Sequence, residues 1–312
     1  MTDQSHQAGA TTVPAESRLK HFPAAFFAMI MGLTGLSIAW YRAQPVFELG
    51  VDVSVVIRWL AVGLFVILAL IFIAKLLRYP GQVRQELRHP IQLNFFPAIS
   101  ISMILLSIAL LHDFPATAQW LWIIGSPAHL ALTLFVLNAW MHHEHFEIHH
   151  INPAWFIPIV GNVLVPIAGV PLGYTEVSWF FFSIGIVFWL VLLTIIFYRT
   201  LFHQPLPDRL MPTFFILIAP PAVGFIAYLQ LTGILRGEAG IDAMARVLFY
   251  SGLFMTLLLL TQVGRFAKLQ FFLSWWAYSF PIAAITIATL LMYQLTGSQT
   301  FAIIGILLLT LV

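Results

Sequence analysis

Ten consecutive residues, Met141-His142-His143-Glu144-His145-Phe146-Glu147-Ile148-His149-His150, carry five histidines and two glutamates. Imidazole and carboxylate groups are ligands for zinc or iron, and the spacing invites comparison with membrane di-iron oxygenases, which need several histidine boxes. The remaining histidines (His6, His21, His89, His112, His129 and His203) stand singly, so a complete di-iron ligand set is not available. The cluster therefore reads as a solvated turn, with an adventitious or regulatory metal as the lesser alternative. No catalytic residue, metal or other cofactor is expected. Asn138, His129 and Gln262 are polar within apolar runs and read as partners for the backbone of neighbouring helices.

Prolines form the second pattern. Pro23, Pro97, Pro153, Pro158, Pro166, Pro171, Pro212, Pro220, Pro221 and Pro281 all fall in the odd members of a series of ten apolar stretches, and only Pro127 interrupts an even one. A proline inside a helix removes a backbone donor and clashes with the preceding turn. In a bilayer the freed carbonyls are tolerated only where protein or water satisfies them. The alternation predicts five broken inner helices, kinked near Pro23, Pro97, Pro166, Pro220 and Pro281, wrapped by five straighter ones. Phenylalanine adjoins several of these breaks, as in Phe22-Pro23, Phe96-Pro97 and Phe280-Pro281. A ring beside a break can project into the axis and plug it without any charged group.

These elements have to sit in a membrane. The 312 residues are 61% hydrophobic and 8% charged, with mean hydropathy +0.94, whereas soluble domains carry about 25% charged residues. Spans of about 20 apolar residues fall near 22–42, 55–78, 91–111, 117–141, 153–172, 176–200, 211–231, 243–266, 271–293 and 299–312. The last is short, and the tenth helix is expected to be truncated. Residues 1–20 read as a disordered cytoplasmic tail without the apolar core of a signal peptide, and 21–312 as one transmembrane domain. With the N-terminus in the cytoplasm, ten of the Lys and Arg residues fall inside and only Arg42, Arg58, Arg236 and Arg246 outside, which fits the positive-inside bias. Both termini are then cytoplasmic, in a plasma or bacterial inner membrane. The net charge of +2 and the absence of a Gly-rich phosphate loop speak against nucleic-acid or nucleotide binding. No Asp, Glu, Lys or Arg stands at mid-span to bind a coupling ion, which favours a passive pathway over an ion-coupled pump.

Four segments carry a family resemblance: Phe22-Pro23-Ala24-Ala25-Phe26-Phe27 with Gly32-Leu33 and Trp40; Ile151-Asn152-Pro153-Ala154-Trp155-Phe156-Ile157-Pro158 with Gly161-Asn162; Ala219-Pro220-Pro221-Ala222; and Trp275-Trp276-Ala277-Tyr278-Ser279-Phe280-Pro281. In this order they resemble the tellurite-resistance/C4-dicarboxylate transporter family, which includes bacterial TehA-type proteins and the plant slow anion channel of guard cells. The resemblance implies ten transmembrane helices as five tandem hairpins in quasi-fivefold arrangement around a central pore, and a homotrimer with three separate pores. It further implies that Phe280 is the gate, that Phe27 faces the pore from the first helix, and, more loosely, that Phe96, Phe156 and Phe215 line it. The function expected is passive conduction of small monovalent anions, chloride and nitrate, by a protein that is not an enzyme. The alternatives are a coupled carrier exporting tellurite, sulfite or a dicarboxylate such as malate, and a metalloenzyme built on the histidine cluster.

Overall fold

The computed structural model describes residues 17–47, 52–142 and 146–312, and every regular element among them is helical. The helices are α1 (Ala28–Phe47), α2 (Val53–Arg78), α3 (Pro80–Arg88), α4 (Pro97–Leu110), α5 (Pro115–His142), α6 (Ile157–Gly169), α7 (Thr175–Phe202), α8 (Ala219–Leu231), α9 (Ala243–Leu260), α10 (Val263–Phe266), α11 (Trp276–Thr296) and α12 (Gln299–Leu309). Among the described residues eight helical segments are long and apolar enough to cross a membrane, and two further apolar helices, Pro153–Gly169 and Gln299–Leu309, are shorter. Their limits lie close to the apolar stretches of the sequence. Two differ: α1 runs on to Phe47, and the eighth stretch, expected to reach residue 266, breaks after Leu260 into α9 and the short α10. The expected tail falls largely on residues 1–16, outside the described residues.

Burial separates the spans into two sets. In the segments Ala24–Phe47, Gln92–Leu110, Asp208–Leu231 and Leu273–Thr296 the most apolar window is 50–89% buried, against 22–33% in α2, α5, α7 and α9. Nearly every residue of α6 is buried as well. These five buried helices touch in order, α1 on α4, α4 on α6, α6 on α8, α8 on α11, and α11 closes back onto α1. The closure is tight because the α1 positions facing α11 are glycines. A Cβ at Gly32 would stand 2.1 Å from Ser279 Oγ, and one at Gly35 3.2 Å from Phe280 Cδ2. Between α5 and α6 the same device recurs, since a Cβ at Gly161 would lie 2.2 Å from His129 Cε1. Small residues let helix backbones approach where no hydrophobic force drives them together in lipid.

Each inner helix is preceded by a 3-10 turn, at Ala24–Phe27, Gln92–Phe95, Pro153–Phe156, Asp208–Ile218 and Leu273–Trp275. This changes the meaning of the prolines. Pro23 caps the first of these turns, and Pro97, Pro158 and Pro220 occupy the first turns of α4, α6 and α8, where a proline N–H would be unpaired in any case and its φ suits the helix. The breaks at Pro97 and Pro220 are therefore junctions between a 3-10 turn and an α-helix, and that at Pro23 is the start of a 3-10 turn; none is a mid-helix kink. Pro166 and Pro281 do lie inside α6 and α11, depriving the carbonyls four residues earlier of a helical partner.

One end of the bundle is tied by a charge. Lys75, fully buried near the end of α2, donates to both carboxylate oxygens of Glu86 on α3 and to the Phe22 carbonyl, each at 2.6 Å. α3 is too polar to span. It turns Val83 and Glu86 inward, three residues apart and hence on one face.

Candidate functional site

Seen from the axis, each inner helix presents a stripe with the 3-4-3 spacing that keeps one face of an α-helix in view. On α1 the stripe is Ala28, Met31, Gly35 and Ile38; on α6 it is Ile157, Val160, Leu164 and Ile167; on α11 it is Ala277, Phe280, Ala284 and Ile287. Three cavities follow one another along these stripes. The first, about 170 Å³, lies among the N-terminal ends of all five inner helices, so these run parallel to one another. The second, about 30 Å³, is lined by apolar residues alone. The third, about 300 Å³, opens among the C-terminal ends.

Phe280 lines both the first and the second cavity and so stands between them, with 6% of its surface exposed. Its counterparts at the same level of the first cavity are Met31, Ile101, Val160 and Ala219. It is the one aromatic ring in that layer, and Gly35, without a side chain, leaves room for it. Farther along, Ile38, Ile108, Ile167 and Ile226 separate the second cavity from the third, and Ile287 of α11 joins them on the second cavity's wall. One isoleucine comes from each inner helix.

The other four phenylalanines expected on the axis are turned away from it. Phe27 is fully buried against Phe65 and Phe72 of α2. Phe96 packs with Ala24, Val83 and Phe72; Phe156 is sealed in the core; and Phe215 stacks edge-on with Phe266 and Tyr278. The reason is common to all four. Each adjoins a residue that does face the cavity, respectively Ala28, Phe95, Ile157 and Ile216, and one residue along a helix rotates the side chain by about 100°. A spacing of seven from Gly35, Leu164 and Val223 leads to Ala28, Ile157 and Ile216, and Phe95 lies three residues before the cavity-lining Ala98.

Sequence reading also did not bring together the charges at the far end. Arg42 and Arg58 both line the third cavity, with His112 beside them. Arg58, 6% exposed, pairs with Asp113 at 2.5 Å and donates to the Ala109 carbonyl at 3.3 Å. Asp113 also accepts from His112 Nδ1 at 2.7 Å. The His112 hydrogen bond, followed by that of Arg58, holds the Asp113 carboxyl below its ordinary range.

Behind the stripes lies a buried polar network. His129 Nε2 meets the Pro158 carbonyl at 3.1 Å and its Nδ1 the Ser100 hydroxyl at 3.0 Å. Thr133 and Asn162 donate to the same Pro158 carbonyl at 2.8 and 2.9 Å. These groups join α4, α5 and α6 at the start of the fifth span. In the histidine-rich turn, His149 Nδ1 lies 3.1 Å from Glu147 and His142 Nδ1 lies 3.1 Å from the Asn138 carbonyl. His143, Glu144 and His145 fall outside the described residues. Among the described residues no group of three or more His, Cys, Asp or Glu side chains is placed to hold a metal ion.

A family model described as SLAC1, voltage-dependent anion channel, matches residues 21–312. The S-type anion channel SLAH2 of Arabidopsis thaliana is 28% identical over 315 residues, covering 94% of this chain and 59% of that protein. The guard cell S-type anion channel SLAC1 of the same plant is 24% identical, over 87% of this chain and 50% of its own length. A tellurite resistance protein TehA homolog from Haemophilus influenzae is 27% identical, over 90% of this chain and 85% of its own. The chain thus spans only about half the length of these plant relatives but most of the bacterial one.

Proposed function

The chain belongs to the SLAC1 family of voltage-dependent anion channels, and on that premise we propose that it conducts small monovalent anions passively along the axis, with Phe280 as the gate. One observation carries the reading: Phe280 alone borders both the first and the second cavity, and no other residue of its layer has a ring to span the axis. An apolar constriction blocks ions by excluding water, and modest displacement of one ring restores passage. The N-terminal ends of five parallel inner helices face the first cavity, and their dipoles favour a negative charge there.

The throat between Phe280 and the isoleucine layer has no charged group. Selectivity then follows the cost of stripping water from the ion, so weakly hydrated nitrate passes at least as readily as chloride. The full arrangement in this reading is ten helices as five tandem hairpins in quasi-fivefold order around the pore. Three subunits associate, each with its own pore, in a plasma or bacterial inner membrane, with both termini in the cytoplasm.

Currents through wild type and Phe280→Ala in planar bilayers, with chloride, nitrate and gluconate exchanged, test the proposal. Phe280→Ala should raise chloride and nitrate conductance at least about tenfold, a barrier difference of about 1.4 kcal/mol, and leave gluconate excluded. A folded Phe280→Ala protein with wild-type current would end the gate reading. The relative named for tellurite resistance keeps a coupled carrier in view. A saturable, voltage-independent flux that follows a pH gradient would establish that instead.

A further inference from the structure

We infer that the third cavity holds a binding site for a single small monovalent anion, formed by Arg42 and Arg58 at the mouth of the apolar throat. Arg58 is nearly fully buried, yet its Nε–H has no acceptor among the described residues, although the side chain lines the cavity. A buried guanidinium donor without a partner is costly, and a small turn of the Arg58 side chain would present it to an anion in the cavity that the side chain lines. Asp113 does not fill that role, because it engages the Arg58 Nη2 atom and His112. Arg42 lines the same cavity and makes no ion pair among the described residues. Asp52 is taken up by the Ser54 amide and hydroxyl, and Glu176, Glu238 and Asp242, the other described carboxylates at this end, do not line the cavity. The cavity wall therefore carries two guanidinium groups, of which Arg58 is paired with Asp113 outside the wall, leaving an excess of one positive charge. About 300 Å³ admits a halide or nitrate with part of its hydration shell. Two forked donors suit planar or spherical anions better than a point charge would.

The site stands where an anion must wait before shedding water at the isoleucine layer. It would raise the local anion concentration on one side of the throat alone. The inference rests on the reading that anions travel this axis, but its test needs no current. Purified full-length protein in detergent is titrated with bromide, gluconate holding the ionic strength constant, while the thermal unfolding midpoint is followed. A ligand that binds only the folded state raises the midpoint in a saturable way.

Wild type should show that rise. Arg42→Gln should need about tenfold more bromide for half of it, and Arg42→Lys, which keeps the charge but not the fork, should fall between. Phe280→Ala should titrate like wild type. A wild-type midpoint indifferent to bromide, or Arg42→Gln titrating like wild type, would overturn the site. Should Arg42→Gln fail to fold, Arg42→Lys and the wild-type curve still decide it. A bromide-dependent midpoint lost in Arg42→Gln, together with an absence of any anion current, would keep the site and sink the channel reading.

Discussion

The two faces of α6 are built by opposite rules. Toward the axis, Val160, Leu164 and Ile167 border cavities. Toward α5 and α7, Gly161 admits His129, Gly169 admits Ser178 and the Trp122 indole, and the Trp122 N–H reaches the Val165 carbonyl at 2.9 Å. The back is closed to van der Waals contact and its polar groups are largely paired; the front keeps empty space and has no polar side chain. Close-packed interiors resist changes of even one methylene, whereas a side chain beside a void can be cut back without losing many neighbours. The comparison teaches that one helix can carry the fold on one side and line the axial cavities, the proposed conduction path, on the other, so substitutions on the two faces should have separable effects.

The largest effect is expected at the front. Phe280→Ala should raise conductance at least about tenfold while costing well under the roughly 3–5 kcal/mol typical of a sealed-core Phe→Ala change, because the ring already borders two cavities. Conductance and unfolding midpoint measured on the same preparation check both halves. Loss of stability without gain of current would erase the distinction between the faces.

Next comes the back. Gly161→Ala places a methyl 2.2 Å from the His129 ring and should lower stability by about 1–3 kcal/mol through overpacking, read by thermal unfolding. Combined with Phe280→Ala, it should leave the current per folded channel unchanged. A changed current would mean that the back reaches the axis after all.

Trp122→Phe tests the same face more gently. It removes the donor to the Val165 carbonyl and keeps most of the ring, so a loss of about 0.5–1.5 kcal/mol is expected, again without altered conductance. The smallest effect belongs to the histidine-rich turn, which lies on neither face. Replacing His142, His149 and His150 by Ala should move stability by no more than about 0.5 kcal/mol and leave currents intact. Conduction lost in that variant and restored by zinc would give the turn a role.

Hydropathy and proline alternation made the spans and the inner–outer division legible, because both depend on local composition. The 3-10 turns before the inner helices were not, since a proline reads alike at a kink and at a first turn. Only the tertiary frame decides which applies, and it does so differently for Pro97 and Pro281. α3 escaped notice because its single inward face holds Val83 beside a glutamate, and Glu86 is buried only through Lys75, eleven residues away in the sequence. Phe280, expected to be the gate from the family resemblance, borders two cavities, and the other four rings stand one step from a cavity-lining neighbour because a motif fixes a neighbourhood and not a rotation. Arg42 and Arg58 were expected outside, near the ends of their spans, and both line the third cavity. What sequence could not supply is that two separate helix ends converge on one cavity.

The contact of α1 with α11 also bears on how the molecule is made. Gly32 and Ser279 lie roughly 250 residues apart, and at a synthesis rate of about 5–20 residues per second α1 is in the bilayer for some ten seconds to nearly a minute before α11 emerges. During that time the unfinished bundle is a crescent whose concave side meets lipid. A polar lining would be costly there. The stripe of α1, Ala28, Met31, Gly35 and Ile38, rests in hydrocarbon without penalty, and Arg42, at the helix end, can reach the headgroups. The apolar axis thus lets each half-made protein wait in the membrane for its last hairpin.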